Sequence, residues 1–118
     1  MAGLTTHILD THSGVPAAGV AVTLDRIAPD GTRTRLAARV TNRDGRTDEP
    51  LLTPDETMPG TYEIGFAIGA YFRGRGVALP EPAFLDIVPV RFGIGDVSRH
   101  YHVPLLASPF GYTTYRGS

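Results

Sequence analysis

Four histidines, one turn-linked arginine and a polar C-terminus hold most of the chemistry this sequence could do. His100 and His102 are two residues apart, and in extended chain such residues share a face. Their imidazoles therefore stand on one side of a strand, with Tyr101 on the other. His7 lies in a second alternating stretch, Leu4 to Asp10, which puts Ile8 on one face and His7 and Leu9 on the other. His12 falls in the loop Thr11 to Gly19, punctuated by Ser-Gly and Val-Pro. Arg46 follows directly on the turn Asn42-Arg43-Asp44-Gly45, and the chain closes on Tyr115-Arg116-Gly117-Ser118. Imidazole titrates near neutral pH and can move protons there, while a guanidinium holds anions.

Three kinds of site fit these residues. The His100-x-His102 pair, with His7 or His12 as a third ligand, has the donor types for Zn²⁺. Ser118 with a histidine would make a covalent serine enzyme, although a terminal residue is poorly placed to hold a nucleophile. The third is metal-free hydrolysis. In it His7 and His102 activate water, and Arg46 holds an anionic substrate and the charge developing at its carbonyl.

The elements that must position these groups read as strands. His100 to Leu106 forms one strand, Ser108-Pro109 a turn and Phe110 to Tyr115 a second strand, so the chain ends in a hairpin. On that last strand Thr113, Tyr115 and Gly117 share one row, opposite Tyr112, Thr114 and Arg116. Gly19 to Ile27 and Thr32 to Thr41 form another pair around Pro29-Asp30-Gly31, with Arg33, Arg35 and Arg39 on a solvated face. Thr61 to Ile68 aligns Tyr62, Ile64, Phe66 and Ile68. Phe84 to Phe92 suits a strand, which Pro89 confines to an edge or a bulge. About eight short strands separated by turns predict an all-β sandwich, one domain over residues 1–118.

Composition narrows the classes. The 118 residues carry 11 basic and 12 acidic groups, a formal net charge of −1, which leaves no basic excess for nucleic acid. There is no cysteine, so thiolate chemistry and disulfides are excluded. No stretch nears the ~20 apolar residues of a membrane helix. MAGLTTHILD lacks the pattern of a signal peptide, and the expected setting is cytoplasmic, away from membranes.

The segments HYHVPLL and GYTTYRGS, with LTTHILDTHSGVPAAGVAVTL and DGRTDEPL, resemble the 5-hydroxyisourate hydrolase family of transthyretin-like proteins. Thr113 stands where many members carry serine. The resemblance implies a transthyretin-like antiparallel sandwich with one short helix near Gly69 to Gly76. It also implies hydrolysis of 5-hydroxyisourate in urate breakdown, without a cofactor or metal. His7, Arg46, His102 and Ser118 would be catalytic, and His7, Arg46, Tyr115, Arg116 and Gly117 would bind substrate. The family implies a homotetramer, a dimer of dimers with sites at the subunit interface. The rival reading is a transthyretin-like carrier of small molecules without chemistry.

Overall fold

The alternation expected from Leu4 to Asp10 does become extended chain, but in two pieces. The computed structural model describes residues 3–117, so Ser118 lies outside the described residues. Its strands are β1 (Gly3–Thr5), β2 (Ile8–Asp10), β3 (Val15–Pro16), β4 (Ala21–Ile27), β5 (Arg33–Val40), β6 (Gly60–Ala67), β7 (Ile87–Ile94), β8 (His100–His102), β9 (Leu105–Ser108) and β10 (Gly111–Thr114). One helix, α1 (Ile68–Gly74), follows β6 directly.

One layer has the order β5-β4-β6-β7, all antiparallel. The facing layer has β10-β9-β2-β3, continued by the pair β1-β8. Its central seam is parallel: Thr5 pairs with His102, and Ile8 with Leu105. The register is the same on both sides of the break, so His7 falls opposite Pro104. Proline has no N–H for a ladder. There the named strands lapse, and His7 instead bridges to Arg46 on its other side. The same proline divides the expected strand His100 to Leu106 into β8 and β9.

Between the layers lie Val22, Leu24, Tyr62, Ile64 and Phe66 from one sheet, and Leu4, Ile8, Leu105 and Ala107 from the other. Each is at most 1% exposed. Full burial of a large apolar side chain contributes roughly 1.5–3 kcal/mol, so this interior fixes which face of each strand looks outward.

Three local features bear on the sequence reading, and each has a physical cause. Strand β7 starts at Ile87 rather than Phe84, because Ile87 pairs with Ala67, where β6 gives way to α1. Pro89 does sit on this strand, at the edge of its sheet. The glycine-containing helix is held by packing rather than propensity: Ile68 and Phe72 are buried, and Tyr71 Oη donates to Asp10 Oδ2 at 2.8 Å. Arg33 and Arg35 of β5 lie on the exposed face expected of them and form ion pairs there. Arg33 and Arg35 meet Asp25 at 3.3 and 2.5 Å, and Arg33 meets Glu63 at 2.9 Å. Asp25 and Glu63 are cross-strand partners, so their adjacent carboxylates are offset by these cations.

Candidate active site

Four extended segments lie side by side at one end of the parallel seam. Thr5 opposes His102 across it, His7 bridges outward to Arg46, and His102 bridges outward to Gly117. Alternation then turns Thr5, His7, His100 and His102 to the same outer face.

Arg46 reaches this row through its turn. Asn42 Oδ1 accepts the N–H groups of Asp44 and Arg46, at 2.9 and 3.2 Å. Gly45 takes φ 75° and hands its carbonyl to the Ile8 N–H at 2.9 Å. A Cβ at Gly45 would come within 2.5 Å of the Ile8 carbonyl oxygen, so only glycine fits. The next residue, Arg46, is thereby laid against His7.

On the opposite edge, the Gly117 N–H donates to the His102 carbonyl at 2.7 Å. A Cβ on Gly117 would sit 2.8 Å from His102 Cδ2. Glycine here lets the terminal segment press against the imidazole and limits how its ring can turn.

The imidazoles form a connected row. His7 Nδ1 and His102 Nε2 are 2.7 Å apart, and the ring planes lie within 22° of each other. That is a hydrogen bond, closer than the roughly 3.3 Å between two ligand nitrogens on one tetrahedral zinc. Thr5 Oγ1 lies 2.8 Å from His102 Nδ1 and 2.9 Å from His100 Nε2. Both ring nitrogens of His102 are thus engaged. Among the described residues, Nε2 of His7 is left without a partner.

These groups surround a cavity of about 400 Å³ lined by Thr5, His7, Arg46, His100, His102, Tyr115 and Gly117. Burial, and then the Arg46 charge, hold His7 below its ordinary imidazole range. His102 is pulled further, to about 4, by burial first and then by His7, Arg46 and His100. Both rings are therefore neutral at pH 7, and a neutral imidazole is a base.

Of the residues singled out from sequence, His7, Arg46, His102, Tyr115 and Gly117 come together here. Arg116 does not line this cavity. Its guanidinium lies 4.0 Å over the Tyr101 ring, on the opposite side of the strand, as the row alternation expects. His12 is exposed in its loop, edge-on to Phe72. Sequence reasoning missed Thr5, although its position two residues before His7 was a usable signal.

The sequence matches the HIUase/Transthyretin family over residues 4–117. A 5-hydroxyisourate hydrolase of Mesorhizobium japonicum is 58% identical over 98% of this chain and 91% of its own. The crystal structure of (S)-allantoin synthase superimposes with a TM-score of 0.91 at 42% identity, covering 98% of this chain; this chain spans only 43% of that one. The Klebsiella pneumoniae 5-hydroxyisourate hydrolase structure gives a TM-score of 0.82 at 36% identity, with both chains covered in full. Fold, seam and full-length similarity agree, and the chain belongs to the HIUase/Transthyretin family, with its transthyretin-like β-sandwich.

Proposed function

We propose that this protein is a hydrolase that opens 5-hydroxyisourate to 2-oxo-4-hydroxy-4-carboxy-5-ureidoimidazoline in urate degradation, with residues 1–118 acting as one hydrolase domain. The observation that carries the mechanism is the neutral, hydrogen-bonded His7–His102 pair with one nitrogen that has no partner among the described residues, in the cavity that Arg46 also lines. His7 is the general base, because its Nε2 is the ring nitrogen of the pair left open to a water in the cavity. His102 holds the His7 ring in orientation and accepts its Nδ1 proton as needed.

Water loses a proton to His7 Nε2 as its oxygen attacks the lactam carbonyl. The carbonyl oxygen takes the electron pair and becomes an oxyanion, which Arg46 stabilises. Collapse of that intermediate breaks the C–N bond, and the proton on His7 Nε2 passes to the departing nitrogen. Tyr115 and Gly117 bound the substrate, whereas the binding role of Arg116, which turns to Tyr101, and the catalytic role of Ser118 rest on the family resemblance alone. A wall of histidine, arginine and threonine favours this chemistry over a carrier, whose channel needs apolar sides.

The assembly we assign is a homotetramer, a dimer of dimers with sites at the subunit interface. Its support is apolar surface near strands at sheet edges: Phe84, Ile87, Phe110 and Tyr112 are 69, 56, 62 and 44% exposed.

The test is the decay of freshly generated 5-hydroxyisourate with and without the protein. Strong acceleration that survives exhaustive chelation is expected. Unchanged decay would overturn the reading, and activity lost to chelator and restored by Zn²⁺ would replace it with a zinc mechanism.

A further inference from the structure

We infer that Thr5 and His100 extend the His7–His102 pair into a four-member proton relay from the half-buried His7 to the exposed His100 on the rim of the same cavity, which parks the proton on His100 while the tetrahedral intermediate exists. The inference rests on the hydrolase reading above. Its observations are the unbroken contacts His7 Nδ1–His102 Nε2, His102 Nδ1–Thr5 Oγ1 and Thr5 Oγ1–His100 Nε2, at 2.7, 2.8 and 2.9 Å.

A hydroxyl both donates and accepts, so threonine can join two imidazoles in either polarity. With His7 Nε2 bare, every bond points outward. His7 Nδ1–H donates to His102, His102 Nδ1–H donates to Thr5, and the Thr5 hydroxyl donates to His100 Nε2. When water gives its proton to His7 Nε2, each donor hands its own proton to the next acceptor. His7 Nδ1–H moves to His102 Nε2, His102 Nδ1–H to Thr5 Oγ1, and the Thr5 hydroxyl proton to His100 Nε2. One proton enters, one positive charge emerges on His100, and no bond but N–H and O–H has changed. When the C–N bond breaks and its electron pair stays on nitrogen, His7 Nε2–H protonates that nitrogen and the chain runs back.

Charge placement favours the outer end. His7 and His102 are half-buried and feel the Arg46 charge, so an imidazolium there is both desolvated and repelled. His100 is exposed, and water solvates its charge. The relay moves the second cation off the two rings on which the Arg46 charge acts and onto the exposed ring of the row.

Thr5 is a positioning residue in this scheme. Thr5→Val keeps the shape and removes the hydroxyl, Thr5→Ser keeps the hydroxyl, and His100→Gln keeps a hydrogen-bonding partner that cannot hold the proton. With 5-hydroxyisourate as substrate, Thr5→Val should lower kcat by about 10-fold or more with KM within about 2-fold, and Thr5→Ser should recover most of it. His100→Gln should also lose kcat and regain it as imidazole buffer is raised at fixed ionic strength, whereas the unmodified protein should not respond. Normal kcat in Thr5→Val, equal loss in Thr5→Ser, or normal kcat in His100→Gln would overturn the relay.

Imidazole ¹⁵N spectra supply a readout independent of turnover. The His102 Nδ1 signal should shift in Thr5→Val and stay in Thr5→Ser, and an unmoved signal in Thr5→Val contradicts the relay. Should the unmodified protein fail to hasten substrate decay, the hydrolase reading falls, and these spectra alone decide whether the four groups are coupled.

Discussion

Residues 5–10 carry two polar clusters that face opposite ways, and their contrast separates structure from chemistry. Asp10 points inward and is 0% exposed. It accepts the Ser13 N–H at 2.9 Å and the Tyr71 hydroxyl at 2.8 Å, with Arg75 Nε 3.6 Å away. Burial works against its charge, but the hydrogen bonds from Ser13 and Tyr71 outweigh it and hold the carboxyl below its usual range. Tyr71 is pushed up to about 12 by burial and by the Asp10 carboxylate. Every neighbour of Asp10 stabilises the form it already has.

His7 and His102 point outward and show the reverse. Burial and Arg46 oppose a charge on both, and on His102 the neighbouring imidazoles oppose it too. They are neutral, linked to each other, and among the described residues leave one nitrogen without a partner beside a cavity. A buried polar group whose partners are complete ties elements together. One that is half-buried, uncharged and incompletely partnered is poised for proton transfer.

The sharpest way to break this contrast is to cut each cluster separately. His102→Ala should lower turnover by roughly 10²–10⁴-fold with little change in melting temperature. Asp10→Asn should keep the turnover of folded protein but cost about 1–3 kcal/mol, since its buried donors lose their charged acceptor. Steady-state rates and thermal melts on both variants decide it. Exchanged outcomes would mean that the clusters have been read backwards.

Arg46→Lys keeps the charge and removes the planar fork, and a fall in turnover on the order of 10²-fold is expected. Arg43→Lys, in the same turn but away from the cavity lining, should stay within about 2-fold. Equal losses would reduce both arginines to a general positive field. Gly117→Ala should have a smaller effect, about 10-fold on kcat, because its methyl group displaces the His102 ring. A normal rate would show that the terminal segment does not set that ring. His12→Ala should change neither rate nor stability measurably.

Parts of this arrangement are legible in the amino-acid sequence alone. The two-residue period puts His100 with His102 and separates His7 from Ile8, and both hold in the fold. Alternation also sends Tyr115 and Gly117 one way and Arg116 the other. The parallel seam is not legible, because pairing residues 3–10 with 100–107 is a long-range event that no local pattern announces. The approach of Arg46 to His7 needs that seam, the gap at Pro104 and the close fit of Gly45. Thr5 stays hidden because threonine is ordinary in a strand, and its hydroxyl matters only once two histidines arrive from the far end of the chain.

The pH profile of the unmodified protein tests the central claim, that a neutral imidazole pair takes the proton from water. Both histidines have folded-state pKa values below the ordinary 6.5. Between roughly 6.5 and 4 the unfolded chain binds more protons than the folded one, so these residues lower stability as pH falls through that window. The base is active only when unprotonated, so kcat/KM for 5-hydroxyisourate should be level around neutrality. It should fall on the acid side, with a midpoint below 6.5. Melting curves at each pH separate this limb from unfolding. A rate that holds level down to pH 4, or that rises toward acid while the protein remains folded, would contradict the account.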